Sequence, residues 1–130
     1  MLNFVMYCKT YSGDLDRLAN LVESFHKHNK DNLFLYISAP LNELTIFQKF
    51  SSTTVKILSD ESFSENFFAT QTYHGMTLGY TNQQICKLTF YRLMLASNYL
   101  CLDSDTIFIR DFYFSDFMYD EKTPYTVLIT

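Results

Sequence analysis

The segment Tyr99-Leu100-Cys101-Leu102-Asp103-Ser104-Asp105-Thr106-Ile107-Phe108-Ile109-Arg110-Asp111-Phe112 decides how this chain is read. Its first four residues form a short apolar run with the length and flanks of a buried parallel strand. The run delivers two carboxylates, Asp103 and Asp105, at the strand's carboxyl end, where open α/β sheets bind their ligands. Paired oxygen ligands at such an edge suit a divalent cation carrying phosphates, because Mg²⁺ or Mn²⁺ is commonly held by one or two carboxylates and completed by a diphosphate.

Upstream, Thr81-Asn82-Gln83-Gln84 has the T-x-x-Q form of a capping box, which predicts a helix running to about Ala96 and leading into the Asp-bearing strand. Ile85, Leu88, Phe90, Leu93, Met94, Leu95 and Ala96 cover most of its circumference, so the helix is expected to be largely buried. Gln84, Lys87 and Tyr91 share one stripe, and a lysine on a buried helix needs a partner.

The rest of the chain alternates. Leu2 to Cys8 is a predicted strand followed by a polar loop, Lys9 to Gly13. Asp14 is a predicted N-cap for a helix whose apolar face is Leu15, Leu18, Ala19, Val22 and Phe25. Leu33 to Ile37 is a second strand stopped by Pro40; Leu41, Leu44, Phe47 and Gln48 mark a short helix; and Thr54 to Leu58 is a third strand. Phe63, Phe67 and Phe68 fit a broken helix, Tyr73-His74-Gly75 a loop, and Tyr125 to Ile129 a last strand. Alternation with short connections predicts an α/β fold, a mostly parallel sheet with helices on both faces.

Composition bounds the function. The 130 residues are expected to form a single domain, and 13 Phe and 10 Tyr with only 3 Gly and 2 Pro exclude a disordered chain. A net charge of -4 without any basic run argues against nucleic acid as a partner. Cys8, Cys86 and Cys101 lie in apolar runs without metal-site spacing, which reads as reduced core cysteines of a cytoplasmic protein. No apolar run approaches the roughly 20 residues of a transmembrane segment, so any membrane contact is expected to be peripheral, at the inner face. His26 and His28, flanking Lys27 at a helix end, are expected to be solvated or helped by the helix dipole, His74 is expected to be a loop residue, and none is assigned to a metal.

The block Gly79 to Phe112 resembles the donor-site core of GT-A nucleotide-sugar glycosyltransferases, in particular a poorly characterised bacterial branch. The resemblance is tight over that block and loose, as strand-helix alternation of a Rossmann-like kind, over the remainder. It implies that Asp103 and Asp105 are a D-x-D pair binding Mn²⁺ or Mg²⁺, which holds the diphosphate of a nucleotide sugar, with a UDP-sugar favoured. It further implies donor contacts from Thr10 and Tyr11 after the first strand, from Ser104 between the acids, and from Lys87 or Arg92 on the preceding helix. Asp105 and Lys87 would then carry the catalysis, neutralising the diphosphate as it leaves, and the acceptor would be a hydroxyl of a saccharide or glycolipid. The same resemblance implies that the chain is the nucleotide-binding half and lacks the acceptor-side part. Transfer by this chain alone is then expected to be slow or absent, and an exposed apolar edge is expected to favour self-association.

Two other readings stand beside this one. A donor-binding fold without activity would serve as an interaction module. A phosphatase of the haloacid dehalogenase type also places D-x-D at a strand end, with the first Asp as nucleophile, but there the motif opens the domain, whereas here it stands near the end of the sequence.

Overall fold

The computed structural model describes residues 1–72 and 74–126. Four parallel strands make one sheet, β1 (Val5–Lys9), β2 (Leu35–Ala39), β3 (Val55–Ser59) and β4 (Tyr99–Leu102), in the order β3-β2-β1-β4. The register pairs Cys8 with Ile37 on one side and with Leu102 on the other, which brings the carboxyl ends of β1 and β4 level. Helices α1 (Leu15–His28), α2 (Leu44–Phe47), α3 (Glu61–Ser64) and α4 (Leu78–Thr89) fill the crossovers. The fold is α/β, as the alternation predicts.

Strand β1 explains why both faces are covered. Val5, Met6, Tyr7 and Cys8 are all fully buried, the near-continuous apolar run of a central parallel strand. Met6 and Cys8 enter one core with Leu18, Leu21, Val22 and Phe25 of α1 and Phe47 of α2. Val5 and Tyr7 point the other way, into a second core with Phe63 of α3, Cys86 of α4 and Phe90. On α1, Leu21 and Ser24 take inner positions, while Ala19, expected inward, faces solvent.

Several boundaries move. The first strand begins at Val5 rather than Leu2, which makes only an isolated bridge to Ala96, and it runs on through Lys9, expected in the loop. Strands β2 and β3 end at Ala39 and Ser59, each beyond the last residue of its apolar run. Tyr125 and Thr126 belong to no strand, while 127–129 of the expected last strand, and Tyr73 of the expected loop, lie outside the described residues. Among the described residues β4 pairs only with β1, so it forms an edge, and Leu100 and Cys101, expected inside, are exposed.

The helix before β4 departs most from expectation. It starts at Leu78, capped by Thr77, whose hydroxyl oxygen accepts from the Tyr80 N–H at 3.1 Å. Thr81 therefore lies inside the helix, its hydroxyl buried without a hydrogen-bond partner, and the T-x-x-Q pattern caps nothing. The α-helix ends at Thr89; a 3-10 turn over Phe90–Leu93 follows, and left-handed Met94 (φ 51°) redirects the chain before Ala96. Within α4 only Cys86 is fully buried, and Leu88 is 72% exposed, so the expected burial on most sides is incorrect. We expect Thr77→Ala to cost about 1 kcal/mol, as loss of an N-cap does, and Thr81→Val to cost nothing or to stabilise, because it removes an orphan hydroxyl. Chemical denaturation of both variants checks the pair, and the reverse ranking would restore the capping box at Thr81.

Candidate functional site

The strand order reverses between β1 and β4: β2 and β3 continue from one side of β1, and β4 lies on the other. Crossovers diverge at such a point and leave a crevice outside the carboxyl ends of the two strands. Lys9, Thr10 and Tyr11 leave β1 there, and Asp103, Ser104 and Asp105 leave β4.

Two cavities occupy the crevice and share Asp14 and Gln83 in their walls. The first, about 390 Å³, is polar and is enclosed by Asp14 and Arg17 at the start of α1, Gln83, Gln84 and Lys87 of α4, and the Asp103–Asp105 loop. Lys87 Nζ lies 2.8 Å from Asp103 Oδ1, so this lysine has the partner its position demanded. Arg17 Nη1 lies 3.2 Å from Asp14 Oδ1. Each cation thus answers one carboxylate. Asp105 is exposed and has no hydrogen-bond or ion-pair partner among the described residues, which leaves the recess one negative charge in excess. The Asp14 carboxylate makes no hydrogen bond as an N-cap, contrary to expectation, because it is turned to Arg17.

The second cavity, about 300 Å³, lies over the end of β1 and is lined by Lys9, Thr10, Tyr11, Pro40, Gly79 and Gln83 among others. Tyr11 is half exposed and covers Gly13 so closely that a Cβ there would meet its ring. Beneath it, Lys9 forms a buried ion pair with Asp60, Nζ to Oδ2 3.0 Å, and donates to the Thr10 carbonyl. Asp60 follows β3, and its own N–H donates to the Ala39 carbonyl at 2.9 Å, which ties the ends of the three strands together. Burial raises the Asp60 pKa, against the opposing pull of Lys9.

The residues expected to bind a donor therefore divide. Asp103, Asp105 and Lys87 converge in the polar recess, and Tyr11 borders the adjoining cavity. Thr10 and Ser104 border these cavities but are turned inward: Thr10 is 1% exposed, Ser104 is 5% exposed, and the Ser104 hydroxyl donates to Thr10 Oγ1 at 3.1 Å. They brace the two loops against each other instead of presenting hydroxyls to a ligand. Arg92 stands elsewhere, donating to the Phe63 carbonyl at 3.3 Å with its guanidinium 4.7 Å from the centre of the Phe67 ring. Five residues on from Lys87, Arg92 would face about 140° away even on a continuous α-helix, and the 3-10 turn over Phe90–Leu93 leaves it beside Phe63 and Phe67. His28 is not solvated as expected: its Nδ1 lies 2.9 Å from Asp111 Oδ1, a bond that lowers the Asp111 pKa. Lys9, Asp14, Arg17, Gln83 and Asp60 were not singled out for this site. For Lys9 the signal was its place one residue beyond a buried strand, which points at the ligand edge.

A divalent cation can be tested against this donor set. Among the described residues no three His, Cys, Asp or Glu side chains gather into a ligand group. Asp103 and Asp105 can supply part of an oxygen shell, the share that Mg²⁺-type sites take from protein when phosphates and water complete them. The fit is that of a substrate-completed site.

These features define a parallel α/β domain with an acidic recess at its topological switch point. Over residues 2–128 the chain matches the model of a family of unknown function, DUF6492, and belongs to that family. No curated protein and no solved structure matches it.

Proposed function

We propose that this domain binds a nucleotide diphosphate sugar, a UDP-sugar first, and serves glycosyl transfer to a hydroxyl of a saccharide or glycolipid. The observation that carries this reading is the convergence, at the β1–β4 switch point, of the unpaired Asp105, the Lys87–Asp103 pair and the cavity beside Tyr11. Mn²⁺ or Mg²⁺ on Asp103 and Asp105 would supply charge neutralisation to the leaving diphosphate. Until a ligand enters, Lys87 compensates Asp103 and relieves its repulsion with Asp105. With a diphosphate in place, the same ammonium donates to a phosphate oxygen and stabilises charge as the bond from sugar C1 to the diphosphate oxygen breaks. The leaving oxygen keeps the electron pair, and the acceptor hydroxyl oxygen bonds to C1 as its proton passes to the released diphosphate or to water. No helix among the described residues is long and apolar enough to cross a membrane. We place the chain in the cytoplasm, where its thiols stay reduced and nucleotide sugars are made, with glycolipid acceptors bringing it to the inner membrane face.

The test is a thermal-shift titration with UDP, GDP and their sugars, with and without Mn²⁺. A ligand that binds only the native state adds about 2.7 kcal/mol at a hundredfold excess over its Kd. We expect the shift with UDP only when the metal is present. Identical melting curves in all conditions would overturn the reading.

A further inference from the structure

The cavity over β1 holds a cation whose hydrogen bonds do not add up. A lysine ammonium carries three N–H donors. For Lys9, one goes to Asp60 Oδ2 and one to the Thr10 carbonyl, and no further acceptor among the described residues is bonded to it. Lys9 is nonetheless only 12% exposed at its side chain, and it lines the cavity whose other walls include the Tyr11 ring and the Pro40 ring. A buried ammonium with a donor to spare, beside an aromatic wall, is complementary to a planar ring bearing a carbonyl oxygen. We propose that Lys9 is the specificity-determining residue for the base of the bound nucleotide, donating its remaining N–H to a ring carbonyl, with Asp60 as the positioning residue that fixes its ammonium.

The chemistry discriminates sharply. Both pyrimidines carry a C2 carbonyl, so the discriminating atom is the one at C4, where uracil has a carbonyl oxygen beside an N3–H and cytosine an amino group beside a bare ring nitrogen; Lys9 is assigned to that C4 position. Guanine and adenine differ in the same sense at C6. An ammonium facing the amino group meets donor with donor, so the amino-bearing base loses the bond and leaves a buried N–H unsatisfied. Asp60 keeps the ammonium from swinging into solvent: it is only 3% exposed, its Oδ2 is bonded to Lys9, Ser38 stands beside the carboxylate, and its backbone N–H is bonded to the Ala39 carbonyl of β2.

The inference rests on the nucleotide reading above, and the experiment separates the two. Calorimetric titrations with UDP, CDP, GDP and ADP, with and without Mn²⁺, are run on the wild type, on Asp60→Asn and on the double variant Lys9→Met/Asp60→Leu. The double variant removes both charges, because a single Lys9 substitution would strand a buried carboxylate and compromise folding. We expect UDP to bind about 10- to 100-fold more tightly than CDP, and GDP to bind more tightly than ADP by a similar factor. The preference should shrink in Asp60→Asn and vanish in the folded double variant, as monitored by circular dichroism. Equal UDP and CDP affinities that still require Mn²⁺ overturn the Lys9 assignment and leave the nucleotide reading standing. The base preference without metal dependence does the reverse for the Asp103–Asp105 cation. A preference kept by the double variant overturns Lys9, and failure of all four nucleotides to bind overturns both.

Discussion

Asp105→Asn is expected to leave the melting temperature of the free protein unchanged and to weaken metal-dependent UDP binding by more than about 100-fold. The first half follows from exposure: the side chain has no partner among the described residues, and substitutions at such positions usually alter stability by no more than about 0.5 kcal/mol. The second half follows from charge. Asp14 and Asp103 are already answered by Arg17 and Lys87, so on the proposed function it is the uncompensated charge of Asp105 that would draw a divalent cation into the recess. Loss of groups that only orient metal ligands typically costs 10- to 100-fold in affinity, and loss of a ligand itself should cost more. Titration of Mn²⁺ with UDP into wild type and variant reads the difference. An unchanged affinity would remove Asp105 from the site, whereas a collapse of the melting temperature would make it a structural residue.

The largest effect on stability is expected at Phe90, outside the crevice. Its ring is 2% exposed, stacks on Tyr7 at 4.2 Å, meets Tyr99 edge-on at 4.9 Å and packs near Phe63 and Tyr36 at 5.8 and 5.9 Å. It is the centre of the second core. Phe90→Ala should cost about 3–5 kcal/mol, because four aromatic neighbours cannot collapse into the space without breaking their own packing. Against a typical domain stability of about 5–15 kcal/mol, that is a large share, and the melting temperature should drop by roughly 10–20 °C. Leu88→Ala, at a residue 72% exposed on the preceding helix, should stay within about 0.5 kcal/mol. Urea denaturation of the two variants measures both, and similar costs would show that this helix packs by a different face.

The parallel sheet was legible because its signal is redundant. β1 reads as a strand by composition and by the polar break behind it, and α1 reads as a helix by spacing, so errors of two or three residues at their ends left the topology intact. Placing Asp103 and Asp105 at a strand's end needed only the four-residue apolar run before them. Helix α4 was misread for a physical reason: Thr77 and Thr81 stand one turn apart and both satisfy local capping chemistry, and only the packed structure decides which hydroxyl meets a free N–H. The apolar residues on its outer side, Leu88 and Met94, imitate burial because periodicity cannot distinguish a face covered by the sheet from one left open. Arg17 and Asp60 carried no signal as site residues, since Arg17 comes from the helix after β1 and Asp60 from the turn after β3, and only the folded sheet brings these ends together.

The segment that follows Asp105 is laced along α1: Phe108 N–H donates to Ser24 Oγ at 2.9 Å, Phe112 N–H to the His28 carbonyl at 3.0 Å, and Asp111 holds His28. The same helix carries Asp14 and Arg17, so the carboxylate loop and the floor opposite it are parts of one stiff jaw. The other jaw is α4. Its last turns are clamped to the sheet through Tyr99 Oη, which donates to the Lys87 carbonyl at 2.6 Å, while its first turn, with Gly79 and Tyr80, borders the mouth and is approached through His74 and Gly75, both in left-handed backbone. The aperture is thereby governed at one end of one helix, and its width can drift through changes near Gly79 while Asp14, Arg17, Lys87 and Asp103 keep their spacing.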